Sequence, residues 1–318
     1  MSTFFKTYDQ VGKKEDVSDV ISNISPTATP FQSLIKNERT TNTVYQWQED
    51  SLATVGDNAV IEGADASDST MAATVMRSNY TQIMQKTIKV SGTADAVSTY
   101  GRAKETAYQL AKKSAELKRE FEYHLVGKAQ NAAVGNGTDT ARTFGNAFGT
   151  DAASTAIIHA DVTVTIDSDA GTAGNQAGPL TEAAILSVNQ KMYEAGSEAK
   201  YIMVKPADSL IIANFAAASG RERDFGAGKG IVNAVDLYVS PFGEQKVIIN
   251  RFLKATECLV FDPAMWAIVT LRPFTRELLA KTGDADKHQI VGEFSLKHKN
   301  YKGTGRITNL SGTNPTLP

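Results

Sequence analysis

A single cysteine, Cys258, stands among 318 residues, so an intrachain disulfide framework is excluded and a reducing compartment fits the chain. Net charge is equally scarce. The 33 Lys and Arg against 35 Asp and Glu leave a formal −2, which excludes a global field that recruits nucleic acid or an anionic membrane. No apolar run reaches the roughly 18 residues of a bilayer span, and Met1 to Gln10 lacks the apolar stretch of a secretory leader. The four histidines, His124, His159, His288 and His298, show neither metal-ligand spacing nor cysteine partners. His298 shares the apolar side of its segment with Phe294 and Leu296, which reads as a core histidine. No G-x-S-x-G elbow and no H-E-x-x-H pair occurs.

Two segments come close to a chemical motif and miss it. Gly226-Ala227-Gly228-Lys229-Gly230 suggests a phosphate cradle, but Gly230 stands where a magnesium-binding Ser or Thr is needed and Arg223 where the first glycine belongs. The segment also leads into an alternating strand pattern, whereas a phosphate loop opens a helix. Asp167-Ser168-Asp169-Ala170-Gly171 hints at a calcium loop, yet Gly178 occupies the place of the bidentate Glu. No cofactor and no metal is expected.

What the sequence does contain is a change of period along its length. Met1 to Arg39 is mostly polar, and Pro26 and Pro30 bias it away from helix, as suits an arm lying on another surface. Thr43 to Gln48 alternates, with Tyr45 and Trp47 on one face, and Tyr80 to Val90 alternates through Met84, Ile88 and Val90. These two stretches predict an antiparallel pair joined by a long polar loop. A pair of that kind is marginal alone in water and needs a surface to lie on. The loop region holds Glu49, Asp50, Asp57, Glu62, Asp65 and Asp68 and no Lys or Arg before Arg77. It reads either as a solvated acidic loop or as a segment docking on a basic patch of a neighbouring copy, with Arg272, Arg276 and Lys281, or Lys297 and Lys299, as receivers.

From Thr99 to Val134 the period is helical, through Tyr100, Ala103, Ala107, Leu110, Ser114, Leu117, Phe121 and Leu125. Ser98 or Thr99 is the expected cap, Lys112–Glu116 and Lys118–Glu122 are the expected surface pairs, and Gly127 is a possible early stop. A continuous helix here would be about 54 Å long. After a Gly/Ala/Thr-rich stretch, Asn136 to Pro179, a mixed pattern returns. Thr181 to Ala195 predicts a helix with Ile185, Val188 and Met192 inward and Gly196 as its stop; Tyr201 to Val204 predicts a buried strand, Asp208 to Ala218 a helix. Ile231 to Val239 and Val247 to Ile249 flank the Pro241-Phe242-Gly243 turn, and the remainder is strand-rich.

Read end to end, the chain resembles the major capsid proteins of tailed bacteriophages with the Hong Kong 97-like fold. The resemblance is carried by Ile24-Ser25-Pro26 with Thr29-Pro30-Phe31, Asn79-Tyr80-Thr81-Gln82-Ile83, Val90-Ser91-Gly92-Thr93-Ala94 and Glu116-Leu117-Lys118-Arg119-Glu120. It continues in Asp236-Leu237-Tyr238 with Phe242-Gly243, Asn250-Arg251-Phe252, Leu271-Arg272-Pro273-Phe274 and Leu279-Ala280-Lys281-Thr282-Gly283-Asp284. The weakest stretch is Asn136 to Pro179.

The resemblance implies an α+β fold with an N-arm (1–39), an extended β-hairpin loop (40–91) and a peripheral domain with a long spine helix (92–139). An axial domain (140–256) follows, and 257–318 returns to the peripheral sheet. It implies a non-enzymatic protein that assembles as pentamers and hexamers into an icosahedral shell around double-stranded DNA, held without sequence specificity and without a membrane. Virion and, during assembly, host cytoplasm are the expected locations. Portal, a separate scaffolding protein and a decoration protein are the implied partners. Scaffolding is expected as a separate protein because the chain begins close to its arm. Some family members crosslink a loop lysine to a neighbour, but no Lys lies between Thr40 and Gln85, so a non-covalent grip is expected. An encapsulin-like compartment and a nucleotide-binding enzyme using Gly226 to Gly230 are the alternatives.

Overall fold

The computed structural model describes residues 25–53, 55–66, 68, 71–101, 103–168, 176–218, 237–281 and 283–311. Most of the expected N-arm, the Gly226–Gly230 loop with Arg221, Arg223 and Asp224, residues 231–236 and residues 169–175 of the would-be calcium loop lie outside them.

The helical stretch predicted over Thr99 to Val134 begins later and ends earlier. Helix α2 (Gly92–Ala96) precedes helix α3, the spine, which covers Glu105–Glu122, a length of about 27 Å. Neither Ser98 nor Thr99 caps α3. Asp95, on α2, accepts the N–H of Thr106 at 3.0 Å. That hydrogen bond holds the Asp95 carboxyl below its ordinary range. At the other end the chain widens into a π-helical turn, Tyr123–Gly127, before leaving helix altogether. Gly127 lies so close to neighbouring atoms that a Cβ there would fall 2.2 Å from the Tyr123 ring and 2.6 Å from the Phe252 carbonyl oxygen. The stripe Leu117, Phe121 and Leu125 is buried as expected. The surface pairs differ, because Lys113, not Lys112, reaches Glu116 at 2.7 Å and Glu122 is buried instead of meeting Lys118.

Under the spine lies a four-stranded sheet in the order β1-β10-β11-β4, formed by Lys36–Arg39, Trp266–Leu279, Ala285–His298 and Gln82–Ser91. Alternation in β4 sends Met84, Ile88 and Val90 inward, and Phe121 of α3 meets Phe294 of β11 with ring centroids 4.9 Å apart. Lys86 on β4 reaches up to Glu120 on α3 at 2.5 Å. A short helix, α1 (Pro30–Leu34), precedes β1 and puts Phe31 at full burial against Phe261 and Trp266. Strand β1 then runs parallel to β10.

A second sheet has six strands in the order β5-β12-β9-β6-β8-β7: Thr163–Thr165, Thr304–Thr308, Cys258–Phe261, Tyr201–Val204, Gly243–Ile249 and Leu237–Ser240. Its helices are α4 (Glu182–Glu194) and α5 (Pro206–Ala218). Helix α4 follows the sequence pattern closely. Thr181 accepts the N–H of Ala184, Ile185, Val188 and Met192 are buried, and Gly196 takes φ +84° after the last turn. The sheet draws strands from both sides of residue 256. Strands β9 and β12, expected in a returning peripheral sheet, pair instead with β6 and β5. Strand β9, buried at all of its positions, takes a central place between β12 and β6.

The expected hairpin is also re-paired. Strand β2 (Val44–Glu49) lies antiparallel to β3 (Val75–Tyr80), not to the 80–90 stretch, and forms a separate two-stranded ribbon. After Thr81 the chain continues as β4 inside the four-stranded sheet, antiparallel to β11.

Candidate intersubunit surface

The ribbon β2–β3 carries the long loop of residues 50–74, and its base is fixed by polar groups that the two sheets bury. Asn79 is fully buried; its amide donates to the carbonyls of Gly145 (2.9 Å) and Leu296 (2.7 Å), while its oxygen accepts the N–H of Gly145 (2.8 Å). Thr81 donates to Glu293 at 2.6 Å, and Glu293 also receives the guanidinium groups of Arg142 and Arg272. Arg77 bridges Glu49 at 3.2 Å and Asp151 at 3.4 Å, all three being buried. A fourth tie involves strand β2. Lys297 donates to Glu38 and to the Tyr45 hydroxyl, each at 3.1 Å, and Tyr45 donates to Glu38 at 3.0 Å. Burial pushes the Glu38 carboxyl up, but the hydrogen bonds from Lys297 and Tyr45 outweigh it and leave the group below its ordinary range.

Of the residues singled out in the sequence, Tyr45 and Trp47 do share a face, with ring centroids 6.1 Å apart. Both are half-buried against their own chain. Glu49 is corrected from a docking residue to an internal anchor, because it is buried and committed to Arg77 and to the Trp47 indole N–H at 3.3 Å. Asp50, Asp57, Glu62, Asp65 and Asp68 are exposed. On the basic side, Arg272 lies on Glu293 at 3.1 Å, Arg276 within 3.4 Å of His288, and Lys281 on Asp286 at 2.7 Å. Lys297 is spent inside the chain, and Lys299 is exposed. The anchors themselves, Asn79, Thr81, Asp151 and Glu293, carry no local signal in composition or spacing. Asn79 to Gln82 stood out only as part of a family-like segment.

The loop itself has a property that charge does not reveal. Leu52, Val55 and Met71 are 99%, 98% and 94% exposed, and Val60 and Ile61 are also open. Single exposed apolar residues are ordinary; here five of them lie open along one loop. No helix among the described residues is long and apolar enough to cross a membrane, and no group of three or more candidate ligands gathers for a metal among them.

The mixed α+β architecture matches structures of the Hong Kong 97-like fold. A chain of the cyanophage A-1(L) capsid asymmetric unit superposes with a TM-score of 0.68 at 13% identity, covering 96% of this chain and 99% of that one. Mycobacterium phage Bobi gives 0.57 at 13% identity over 95% and 96%. The SrpI encapsulin of Synechococcus elongatus gives 0.56 at 8% identity over 94% and 95%. In sequence, residues 2–311 match the family described as SU10 major capsid protein. The "Major capsid protein" of Escherichia phage Phieco32 is 36% identical, with 98% of each chain covered. The chain belongs to the SU10 major capsid protein family. It is a non-enzymatic structural protein of a tailed-phage head, located in the virion shell.

Proposed function

We propose that copies of this chain assemble as pentamers and hexamers into a closed icosahedral shell around double-stranded DNA, each copy laying its 50–74 loop on the next. The observation that carries this reading is the row of open apolar side chains at Leu52, Val55, Val60, Ile61 and Met71, interleaved with five exposed carboxylates and no Lys or Arg. Apolar residues supply burial, and the acidic set supplies register against a basic neighbour. Arg272, Arg276, Lys281 and Lys299 remain the proposed receivers; the first three also hold partners in their own chain. We assign the spine with the four-stranded sheet to the peripheral unit and the six-stranded sheet to the axial unit around the capsomer axis. Portal, scaffolding and decoration proteins are the proposed partners. With no Lys between Thr40 and Gln85, the grip of the loop is non-covalent.

The test is electron microscopy of expressed protein with and without residues 52–75. Shells from the full chain, and folded subunits that fail to close after the deletion, are the expected pair of results. Normal particles from the deletion overturn the role of the loop. The SrpI encapsulin shares the fold, but the sequence matches are to phage major capsid proteins.

A further inference from the structure

The described part of the N-terminal arm is seated on the spine and runs along it in a definite direction. Gln32 holds the last turn of α3, with its N–H on Glu122 and its side-chain amide donating to the Lys118 carbonyl at 2.8 Å. Earlier in the chain, Ser25, Pro26 and Thr27 form a groove of about 260 Å³ with Lys112, Ala115, Glu116 and Arg119. Followed towards its N-terminus, the arm therefore passes from Glu122 back to Lys112, antiparallel to the spine.

Beyond that point the same side of α3 stays open. Ala111, Ala115 and the flanking Lys104 are exposed, and Tyr108 is half-buried. Residues three and four apart share a helix face, so Lys104, Tyr108, Ala111 and Ala115 continue the groove as one track. These side chains take no part in the contact with the four-stranded sheet, which Leu117 and Phe121 make from the other side of the helix.

The sequence supplies an occupant of matching chemistry at the point where the described arm begins. Val17, Val20, Ile21 and Ile24 precede Ser25, and the spacing i, i+3, i+4, i+7 is one apolar face of a helix. Asp16 is a capping type of residue in front of that run, and Ser25, standing before Pro26, is biased out of helix behind it. Residues 1–24 lie outside the described part of the chain; on the path of the arm, 16–24 is the stretch that meets the track next. At a helical rise it spans about 13 Å, the same as the spine from 104 to 112. Charge agrees with the antiparallel direction, since Glu15, Asp16 and Asp19 fall at the end of the track marked by Lys104.

We propose that residues 16–24 dock as an amphipathic helix on the spine of their own chain, with Val17, Val20, Ile21 and Ile24 on the track of Tyr108, Ala111 and Ala115. The short side chains at 111 and 115 admit a second helix at an axial separation of about 8–10 Å. The arm is then a strap of its own subunit as far back as Asp16, and only the residues before it are left to reach a neighbour. This docking is independent of where the 50–74 loop lies, so dissociated subunits and shells should give the same result.

Paired cysteines in the full chain test the proposal. Ala111→Cys is combined in turn with Ile21→Cys, Ser22→Cys, Asn23→Cys and Ile24→Cys. The oxidised proteins are separated under denaturing, non-reducing conditions, and the linked peptides are identified by mass spectrometry. Cys258 is fully buried and stays out of the reaction. A disulfide needs Cα atoms within about 7 Å, so Ile21→Cys or Ile24→Cys should bridge within one chain at least about tenfold faster than Ser22→Cys and Asn23→Cys. Bridges between chains, equal rates on both faces, or no bridge at any of the four positions overturn the proposal. A second measurement leaves the apolar face of the segment intact. Amide exchange over 104–116, followed in the full chain, should be about tenfold slower than in a chain lacking residues 1–24. Equal protection in the two proteins overturns the docking as well.

Discussion

The carboxylate of Glu122 accepts the backbone N–H of Phe31 at 2.8 Å, across 91 positions of sequence. It also takes the N–H of Gln32 at 3.0 Å and the side-chain amide of Asn250 at 2.7 Å. The last turn of the spine thereby caps the short helix at the root of the N-arm, which has no side-chain cap of its own. One buried carboxylate ties arm root, spine and second sheet together. Burial raises its pKa, and the three hydrogen bonds pull it back only in part.

Replacing Glu122 by Ala leaves two backbone N–H groups and the Asn250 amide without an acceptor. The expected loss is about 3 kcal/mol, on the order of one to two unsatisfied buried donors. Glu122→Gln keeps one oxygen and should lose about half as much. Chemical denaturation of the unassembled subunit measures both, and equal stability of the Ala variant and wild type would contradict the capping role.

Arg77 stands between two buried acids, so Arg77→Met strands Glu49 and Asp151 in a low-dielectric site. Removing one side of a buried pair costs roughly 3–5 kcal/mol. The cost should shrink when Glu49→Gln and Asp151→Asn are added, since no charge is then left unpaired. Comparison of the single, double and triple variants by thermal unfolding reads this out; strictly additive losses would mean the three residues do not act together.

Gly305 is crossed by α4 at a distance no side chain fits. A Cβ there would fall 2.2 Å from Val188 and 2.7 Å from the Met192 sulfur. Gly305→Ala should therefore destabilise the second sheet by about 1–3 kcal/mol through overpacking. Val188→Ala, made together with it, should restore part of the loss, as a melting curve of the pair would reveal.

Charge reversal of Asp57, Glu62 and Asp65 to Lys removes the acidic character of the loop without touching its anchors. Assembly should weaken and its dependence on salt should change sign, because repulsion between like charges is relieved by screening. Assembly yield followed by light scattering over a salt series is the measurement. An unchanged yield and slope would remove electrostatics from the docking of the loop.

Segments whose structure depends on their own neighbours were legible from the sequence. Helix α4 has its cap, its inward face and its glycine stop written within sixteen residues, Thr181 to Gly196, and folded as read. The run of buried residues in β6 belongs to the same class. The order of segments was enough to recognise the family. That depends on residue identity at many separate places and needs no coordinates.

Pairing partners and helix ends depended on contacts between distant segments, and here tertiary structure decided. Residues 75–80 took β2 as partner because 82–91 found a better place beside β11, where Met84, Ile88 and Val90 are covered by the spine. The spine ended where Gly127 permits Phe252 to approach, a contact no local pattern announces. Glu49, read as a free acid of the loop, became an internal anchor once Arg77 and the Trp47 indole closed on it. A charge's role depends on what desolvates it, and that is a property of the packed chain alone.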